Sequence, residues 1–576
     1  MNGCAFNDVR HSYLRKTMSD EKEKAKQQSK GISRRQFIAG TVGGLVIGAA
    51  AGAAAGSLGF PKTVTAQPWL PAKWDQTADI VVVGFGFAGM SAAITAHDAG
   101  ANVIVLEKTT EDLAGGNSRV CGQCTWVPGT KNDGTVDSSL MAGQLQYFEA
   151  MEDGQGFPVP DDYLQMAVNE CAKNKTWLEG LGATTEWSMF PQPFYPQLNG
   201  AAAVTGPNGG SWSVKSTQPY GNNWFFLKDQ INSRGITVMY GTPAKNLIQN
   251  AQTKEILGVV ATSNGTDINI RANKAVILAA GGYEYAPQMV RDYLNIPEIH
   301  SLGSPSNTGD GILMAIGAGA DLWHMDVFAA PTGWAINPPE YKSAINVGTP
   351  TSGGFIFVGA DSERFDDELY PVSPNATPGL TLVAGKYFKH GVYMTPPYPL
   401  PVHMVFDQTA MSSTALFAGM AGLGWALNVE GFKASQDNST ELANGWIVKA
   451  DTISELATSI GKDPTIMSNE VTNWNSMCAA GKDTEYGRSA QLVPISTPPY
   501  YAIEIKPMIL NTQGGPMRNS KGQVLDTNGN VIPRLYEAGE MGEIFAYLYQ
   551  CCRNVSLCYT VGRLAATDAA GLTAWQ

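Results

Sequence analysis

The sequence predicts an α/β fold, and the local order of its first predicted elements supports this class. A short apolar strand pattern covers residues 79–83, a glycine-rich turn follows at 84–89, and residues 90–99 have a helix-compatible composition. A second strand pattern at 101–106 then ends on Glu107. Strand, glycine-rich turn, helix and second strand in this order are typical of a Rossmann-type dinucleotide-binding domain.

Each glycine of the glycine-rich turn has a physical role at its position. Gly84 allows a tight turn, Gly86 lets the backbone approach a pyrophosphate, and Gly89 lets helix and strand pack closely. The helix that follows then has its N-terminal amide groups directed at phosphate. Glu107 stands at the separation at which a carboxylate binds the hydroxyl pair of a ribose. The turn therefore predicts a bound dinucleotide.

Length and charge restrict the remaining possibilities. A chain of 576 residues is long for a single core, so we expect two domains or one domain with a large insertion. The formal net charge is −12, and no run of five or more basic residues follows the N-terminal segment. Because such a chain has no electrostatic footprint for nucleic acid, no nucleic-acid partner is expected.

Residues 1–66 are predicted to be a twin-arginine signal peptide ahead of the fold. Residues 33–38 read SRRQFI, an apolar run rich in Gly and Ala covers 39–60, and the small residues at 64–66 suit signal peptidase. A retained membrane anchor is the alternative, since about 20 apolar residues can span a bilayer. The twin-arginine translocase exports folded proteins. We therefore expect a periplasmic or extracytoplasmic protein, membrane-associated if the anchor is retained, that acquires its cofactor before export.

Four further segments resemble the superfamily of FAD-dependent fumarate reductases, urocanate reductases and 3-ketosteroid dehydrogenases. These are residues 115–118 (GGNS), 276–282 (VILAAGG), 309–311 (GDG) and 535–540 (LYEAGE). The resemblance extends over about residues 75–570 and implies FAD as the cofactor. The residues that it would place at FAD are Gly84, Gly86, Ala88, Gly89, Glu107, Lys108, Gly116, Asn117, Ser118, Gly282, Asp310, Glu540 and Asn554.

The resemblance also implies the domain order. In this superfamily a capping domain interrupts the flavin domain. We therefore expect a Rossmann-type FAD-binding domain at residues 75–325 and 496–576, with an inserted α+β capping domain at 326–495. Because ligands commonly bind at domain interfaces, the active site is expected between the two.

Several positions depart from the dicarboxylate-reducing members. Asn511 replaces their carboxylate-binding histidine, and Gln550 aligns with their substrate arginine. Residues 364–368 (RFDDE) resemble an element of their cap, but the arginine proton donor expected soon after it is missing. The proton donor is therefore expected to be a tyrosine, an arginine or a water relay, and Tyr370, which lies near that position, is a candidate. A dicarboxylate substrate is therefore not expected.

Residues 549–554 (YQCCRN) resemble a segment of the steroid dehydrogenases that binds a carbonyl. The resemblance implies that the Tyr549 hydroxyl and the backbone amide of Arg553 donate to the substrate carbonyl. A phenol is suited to this task, since it donates a hydrogen bond without adding a full charge to an apolar pocket. The alternative is that Tyr549 is a buried aromatic residue whose hydroxyl binds a backbone group.

Cysteines replace residues that are usually glycine in this segment. Cys551 and Cys552 stand there beside Arg553, while Cys121 and Cys124 follow the 115–118 loop. The resemblance implies that these four thiols converge near the flavin ring. Three interpretations stay open: small buried residues that fill space, a redox disulfide, or a metal site such as an iron–sulfur cluster.

The leading hypothesis is an exported FAD-dependent oxidoreductase acting on CH–CH groups. It would saturate a C=C bond conjugated to a carbonyl in an apolar small molecule, an organisation shared with exported cardiac glycoside reductases. Because NADH is not available outside the cytoplasm, electrons would come from a membrane cytochrome or quinol, as in anaerobic respiration. One alternative is a 3-ketosteroid-type dehydrogenase that introduces a C=C bond. The other is a thiol-linked flavoprotein that passes electrons to partner proteins.

The signal prediction can be checked on the exported protein. Cleavage after Ala66 leaves a mature chain that begins at Gln67, because small residues before the cut are what signal peptidase accepts. N-terminal sequencing of the protein recovered from outside the cytoplasm should read from Gln67. A membrane-bound form that retains residues 39–60 would contradict the prediction.

Overall fold

The computed structural model describes most of the chain from residue 69 onwards. The signal predicted at 1–66 lies outside the described residues, as do Tyr370 and Cys551. Side chains are not described for residues 155, 387–389 and 392–394. The described ranges are 69–157, 159–188, 193, 195–296, 298–329, 333–369, 387–389, 392–394, 398–418, 423–545, 547–550 and 552–576.

The glycine-rich turn lies at the carboxyl end of a central strand in the main sheet. This strand, Gln76–Val83, pairs in parallel with Val103–Leu106 on one side and with Thr266–Leu278 on the other. Its apolar run at 80–83 is buried, as expected for a parallel strand covered on both faces. Within the described residues this sheet has eight strands. Its other strands are Thr237–Met239, Ala244–Gln249, Ile256–Ser263, Gln523–Leu525 and Val531–Glu537.

Two helices pack closely over one face of this sheet. The helix after the turn, Phe87–Asp98, contacts the C-terminal helix Arg553–Ala570, and a Cβ added at Gly562 would lie 2.5 Å from the Ala88 carbonyl oxygen. Among the described residues, no helix has the length and apolar character needed to cross a membrane. The other helices before residue 318 are Gly116–Val120, Leu140–Met151, Asp161–Cys171, Asn174–Gly180, Asn222–Ser233, Pro287–Met289, the π-helical Val290–Leu294 and Asp310–Gly317. Short 3₁₀ turns cover Glu111–Leu113, Asp153–Gln155, Ala201–Val204 and Gly206–Asn208.

A second, mostly antiparallel sheet is inserted between the two parts of the main sheet. Its central strand, Tyr500–Ile509, pairs with several neighbours and leads directly to Asn511–Thr512. The other strands of this sheet are His300–Ser301, Trp334–Ile336, Ile345–Val347, Phe355–Val358, Val402–Asp407 and Val448–Ala450. The helices of this region are Gln408–Met411, Trp425–Asn428, Ser439–Ala443, Ile453–Ser459 and Pro464–Ala480. The predicted fold class, an α/β fold with an α+β insertion, is confirmed, and the residue boundaries of the domains stay a prediction.

Two-stranded pairs and one three-stranded sheet lie outside the two large sheets. Each pair or triplet is antiparallel and two to four residues long. They are Leu322–Trp323 with Gly515–Pro516, Phe328–Ala329 with Asn511–Thr512, Tyr387–Lys389 with Val392–Met394, and Ser211–Val214 with both Thr125–Trp126 and Thr185–Trp187.

The arginine of the predicted cap element takes part in a closed ion network. Arg364 donates to Glu368 at 2.7 and 3.0 Å and to Asp483 at 2.8 Å, and Arg488 donates to Glu368 at 3.0 Å. These four side chains are at most 1% exposed. Since each buried charge has a partner of opposite sign, the network joins the end of strand Phe355–Val358 to the loop after Pro464–Ala480 and has a structural role.

Glu368→Gln should lower the free energy of unfolding by about 3–5 kcal/mol, because it removes the carboxylate partner of the buried Arg488 guanidinium and one carboxylate partner of Arg364. Denaturant unfolding followed by fluorescence measures the change. The matched control is Asp267→Asn, which removes the exposed pair with Lys245 and should leave the unfolding curve unchanged. An unchanged curve for Glu368→Gln would show that the network does not stabilise the fold.

Candidate active site

A cleft with about 780 Å³ of empty space, partly open to solvent, lies at the carboxyl ends of the central strands. Its walls come from distant parts of the chain: the glycine-rich turn, the 115–118 loop, residues 279–281 and residues 538–540. Most of the predicted cofactor residues lie on these walls. They are Gly84, Gly86, Ala88, Glu107, Lys108, Gly116, Asn117, Ser118, Asp310 and Glu540.

The turn brings backbone segments closer than any side chain would allow. Gly84 has φ +111°, and a Cβ added there would lie 2.1 Å from the Ala279 carbonyl oxygen. A Cβ at Gly89 would lie 2.0 Å from the Gly84 carbonyl oxygen. At Gly86 it would approach the Ser118 hydroxyl to 2.9 Å. These positions require glycine, and the floor of the cleft is therefore bare backbone, as a pyrophosphate site needs.

Charged side chains stand at the far end of the same turn. Glu107 accepts from the Phe85 amide at 3.3 Å and from the Thr109 amide and hydroxyl at 2.8 and 2.7 Å. Lys108 donates to Asp310 and to the Thr308 hydroxyl, both at 2.7 Å. These contacts hold the Glu107 carboxylate at the wall of the cleft, where a ribose hydroxyl pair can bind it.

An asparagine in the 115–118 loop joins two carboxyl groups beside the cleft. Asn117 Nδ2 donates to Glu284 Oε1 at 2.7 Å and to Glu540 Oε2 at 3.0 Å, while Asn117 Oδ1 accepts from the Ser304 amide at 2.8 Å. Sequence reasoning predicted Asn117 and Glu540 but not Glu284. The signal for Glu284 was its position directly after the turn at 281–282.

Three predicted cofactor residues lie off the cleft walls. Gly89 packs beneath the turn, and a Cβ at Gly282 would lie 2.2 Å from the Thr512 hydroxyl. Asn554 lies in the first turn of the C-terminal helix, and its buried Oδ1 has no hydrogen-bond partner among the described residues. The structure adds Cys558, which lines the cleft one turn further along the same helix and which sequence reasoning missed.

The family model for the FAD binding domain matches residues 79–555 of this chain. The chain belongs to this family of FAD-binding proteins. The bare backbone over the predicted pyrophosphate position, the carboxylate of Glu107 and the polar groups around Asn117 fit FAD, so the predicted cofactor agrees with the site.

Similar proteins cover almost the same length. The chain is 26% identical to a digoxin reductase of Eggerthella lenta over 534 residues, with 87% of this chain and 89% of that protein covered. It is 28% identical to a urocanate reductase of the same species over 537 residues, covering 89% and 77%. The crystal structure of 3-ketosteroid delta1-dehydrogenase from Sterolibacterium denitrificans has a TM-score of 0.66 at 22% identity, covers 86% of this chain and 99% of that one, and supports the fold. The predicted superfamily and the class of FAD-dependent oxidoreductase are confirmed.

The predicted catalytic segment of this FAD-binding protein lies against an aromatic cluster. Tyr549 is 7% exposed, and its ring meets Phe545 edge to face at 5.4 Å. Gln550 Oε1 accepts from the Tyr147 hydroxyl at 3.0 Å. Asn511 donates to the Thr512 carbonyl oxygen at 3.1 Å. The two residues predicted to replace the carboxylate-binding pair of the dicarboxylate-reducing members are thus neutral amides held by internal hydrogen bonds.

The Arg553 side chain is enclosed by aromatic rings. Its guanidinium carbon lies 4.3 to 5.1 Å from the ring centroids of Trp126, Tyr147 and Phe148, and Nη1 donates to Met151 Sδ at 3.4 Å. Burial lowers the pKa of Arg553 to about 10, so the group stays charged at neutral pH. Cation–π contacts of this kind stabilise a desolvated cation. The side chain therefore holds the start of the C-terminal helix in place, and its backbone amide stays the predicted donor.

Three of the four cysteines predicted to converge are described, and they divide between two clusters. Cys121 packs with Cys558 beside the helix Phe87–Asp98, whereas Cys124 and Cys552 belong to the aromatic cluster around Trp126. In the described part of the chain, no group of three or more His, Cys, Asp or Glu residues could hold a metal ion. With Cys551 outside the described residues, the iron–sulfur interpretation has no support in this structure.

Gly84→Ala should abolish FAD retention, because its methyl group would collide with the Ala279 carbonyl oxygen. Gly100→Ala is the matched control: Gly100 also has positive φ, at +86°, but nothing lies within 4 Å of its added Cβ. It should lose about 1–2 kcal/mol of stability from the backbone conformation alone and keep its FAD. The ratio of FAD absorbance to protein absorbance in the two purified variants shows whether steric collision or backbone strain causes the loss of FAD.

Proposed function

We propose that this protein is an exported FAD-dependent reductase that saturates a C=C bond conjugated to a carbonyl. Its substrate is an apolar small molecule without a dicarboxylate group. Digoxin reductase and urocanate reductase, two similar proteins, are named for the reduction of compounds of different polarity. The choice between such classes therefore depends on this chain's own residues.

The proposal of an apolar substrate rests on one observation. Among the described residues of the site, no pair of positively charged side chains is placed to bind two carboxylates. Asn511 and Gln550 are neutral. Of the nearby buried arginines, Arg518 forms an ion pair with Glu537, and Arg553 packs against aromatic rings. Binding two carboxylates without a cation would leave two charges uncompensated, which is unfavourable in a buried site. A ketone or lactone carbonyl needs only neutral donors.

In the proposed reaction, bound FAD supplies the hydride to one carbon of the double bond. The Tyr549 hydroxyl and the Arg553 backbone amide donate to the substrate carbonyl and stabilise the negative charge that develops on its oxygen. The other carbon receives a proton, for which Tyr370 is the candidate donor. Aromatic residues pack around Tyr549 and would keep water away from its hydroxyl.

Electrons reach the protein from a membrane cytochrome or quinol in this proposal, since the leader at residues 1–66 directs it out of the cytoplasm. The reverse reaction, in which a 3-ketosteroid-type dehydrogenase introduces the double bond, is the second candidate. It is favoured by the resemblance of residues 549–554 to the steroid dehydrogenases. The direction is tested with reduced viologen plus enones against saturated ketones plus an oxidising dye.

Tyr549→Phe should lower kcat for enone reduction about a hundredfold while FAD content stays unchanged, because one hydrogen bond to the developing oxyanion is lost. Viologen-linked turnover measures the effect. Tyr501→Phe is the control, since its hydroxyl donates to Gln408 in the second sheet at 2.6 Å and should leave turnover unchanged. Equal turnover in Tyr549→Phe and the parent would remove Tyr549 from the mechanism, and rapid fumarate reduction would overturn the substrate class.

A further inference from the structure

The two carboxyl groups joined by Asn117 have unequal surroundings. Glu284 is buried and also accepts from Asn307 Nδ2 at 2.7 Å and from the Thr512 hydroxyl at 3.3 Å. Glu540 lines the cleft, and Asn117 is its one hydrogen-bond donor among the described residues. Because hydrogen-bond donors stabilise the ionised form of a carboxyl group, a single negative charge is better placed on Glu284.

Nothing nearby compensates a second negative charge. Among the described residues, neither Glu284 nor Glu540 takes part in an ion pair. Of the nearby cations, Lys108 pairs with Asp310, Arg518 pairs with Glu537, and Arg119 donates to the backbone carbonyl oxygens of Asp112 and Ala114. Two ionised carboxylates sharing one amide group repel each other strongly in a poorly hydrated site. The pair is therefore expected to keep one proton.

The other titratable groups around the pair act in the same direction. Burial raises the pKa of Glu284, and burial together with the charges of Glu284 and Glu543 raises the pKa of Glu540 well above its usual value. Tyr283 and Tyr285 flank Glu284, and burial raises the pKa of both phenols above the usual value, so they stay neutral.

We propose that Glu284 is a positioning residue that keeps Glu540 protonated, so that Glu540 presents a hydroxyl donor rather than a carboxylate to FAD bound in the cleft. The pair then carries one charge and one proton. Glu284 acts through Asn117 and does not line the cleft itself. This inference concerns the protein's control of its cofactor, and its test needs no substrate. An error in the proposed reaction would leave the result unaffected.

Redox titration of the FAD-loaded protein tests the charge state. Glu540→Gln replaces a neutral donor by another neutral donor, so the midpoint potential should match the parent near neutral pH. Glu284→Gln removes the ionised group, so the potential should rise at about pH 6. With its charged neighbour gone, Glu540 loses its proton more easily, and the potential should return towards the parent value by about pH 8.

The matched control is Glu186→Gln, an exposed carboxylate in another part of the chain, which should leave the potential unchanged at each pH. If Glu540→Gln raises the potential near neutral pH as much as Glu284→Gln does, Glu540 is ionised and the proposal is wrong. The same conclusion follows if Glu284→Gln leaves the potential unchanged throughout.

Infrared spectroscopy of the parent protein measures the difference between the reduced and the oxidised state. This measurement does not depend on whether any variant folds. A protonated carboxyl group beside FAD should give a carbonyl-stretch band that shifts in D₂O. The band should be missing in Glu540→Gln. Absence of such a band in the parent would overturn the proposal, and its persistence in Glu540→Gln would assign the proton to Glu284 instead.

Discussion

Close approach of backbone to backbone at glycine holds the helix Phe87–Asp98 in its position. Gly89 lets this helix rest on the carbonyl of Gly84, and Gly562 lets the C-terminal helix rest on the carbonyl of Ala88, where an added Cβ would lie 2.0 and 2.5 Å away respectively. The helix is thus clamped from two sides. Since the glycine-rich turn that leads into this helix forms one wall of the cleft, the geometry of the cofactor site depends on positions that no side chain can occupy.

Buried charged groups are stabilised in different ways in three regions of the protein. In the second sheet, Arg364 and Arg488 are neutralised by carboxylates. At the start of the C-terminal helix, Arg553 is held by aromatic rings, which stabilise a cation without cancelling its charge. Beside the cleft, neither Glu284 nor Glu540 forms an ion pair with any cation in the described part of the chain. A buried group keeps its charge only where partners replace the lost hydration, and for this reason the carboxyl pair is the place where a proton is held.

The strand Tyr500–Ile509 connects the two sheets mechanically as well as along the chain. It is the centre of the second sheet, and its continuation at Asn511–Thr512 pairs with Phe328–Ala329. The Thr512 hydroxyl then accepts from the Tyr283 amide at 2.9 Å and donates to Glu284. A shift of the second sheet would therefore reach the carboxyl pair through one residue.

The sequence by itself determined the strand, glycine turn, helix and Glu107 of the cofactor site, because these depend on spacing within some 30 residues. It also identified the family through short runs of consecutive residues at 115–118, 276–282, 309–311 and 535–540. Only the tertiary structure decided that Asn117 meets Glu284, 167 residues away, and Glu540, 423 residues away. It likewise decided that the Arg553 side chain turns into an aromatic cluster. Such contacts are set by the packing of whole elements, for which a single sequence carries no local signal.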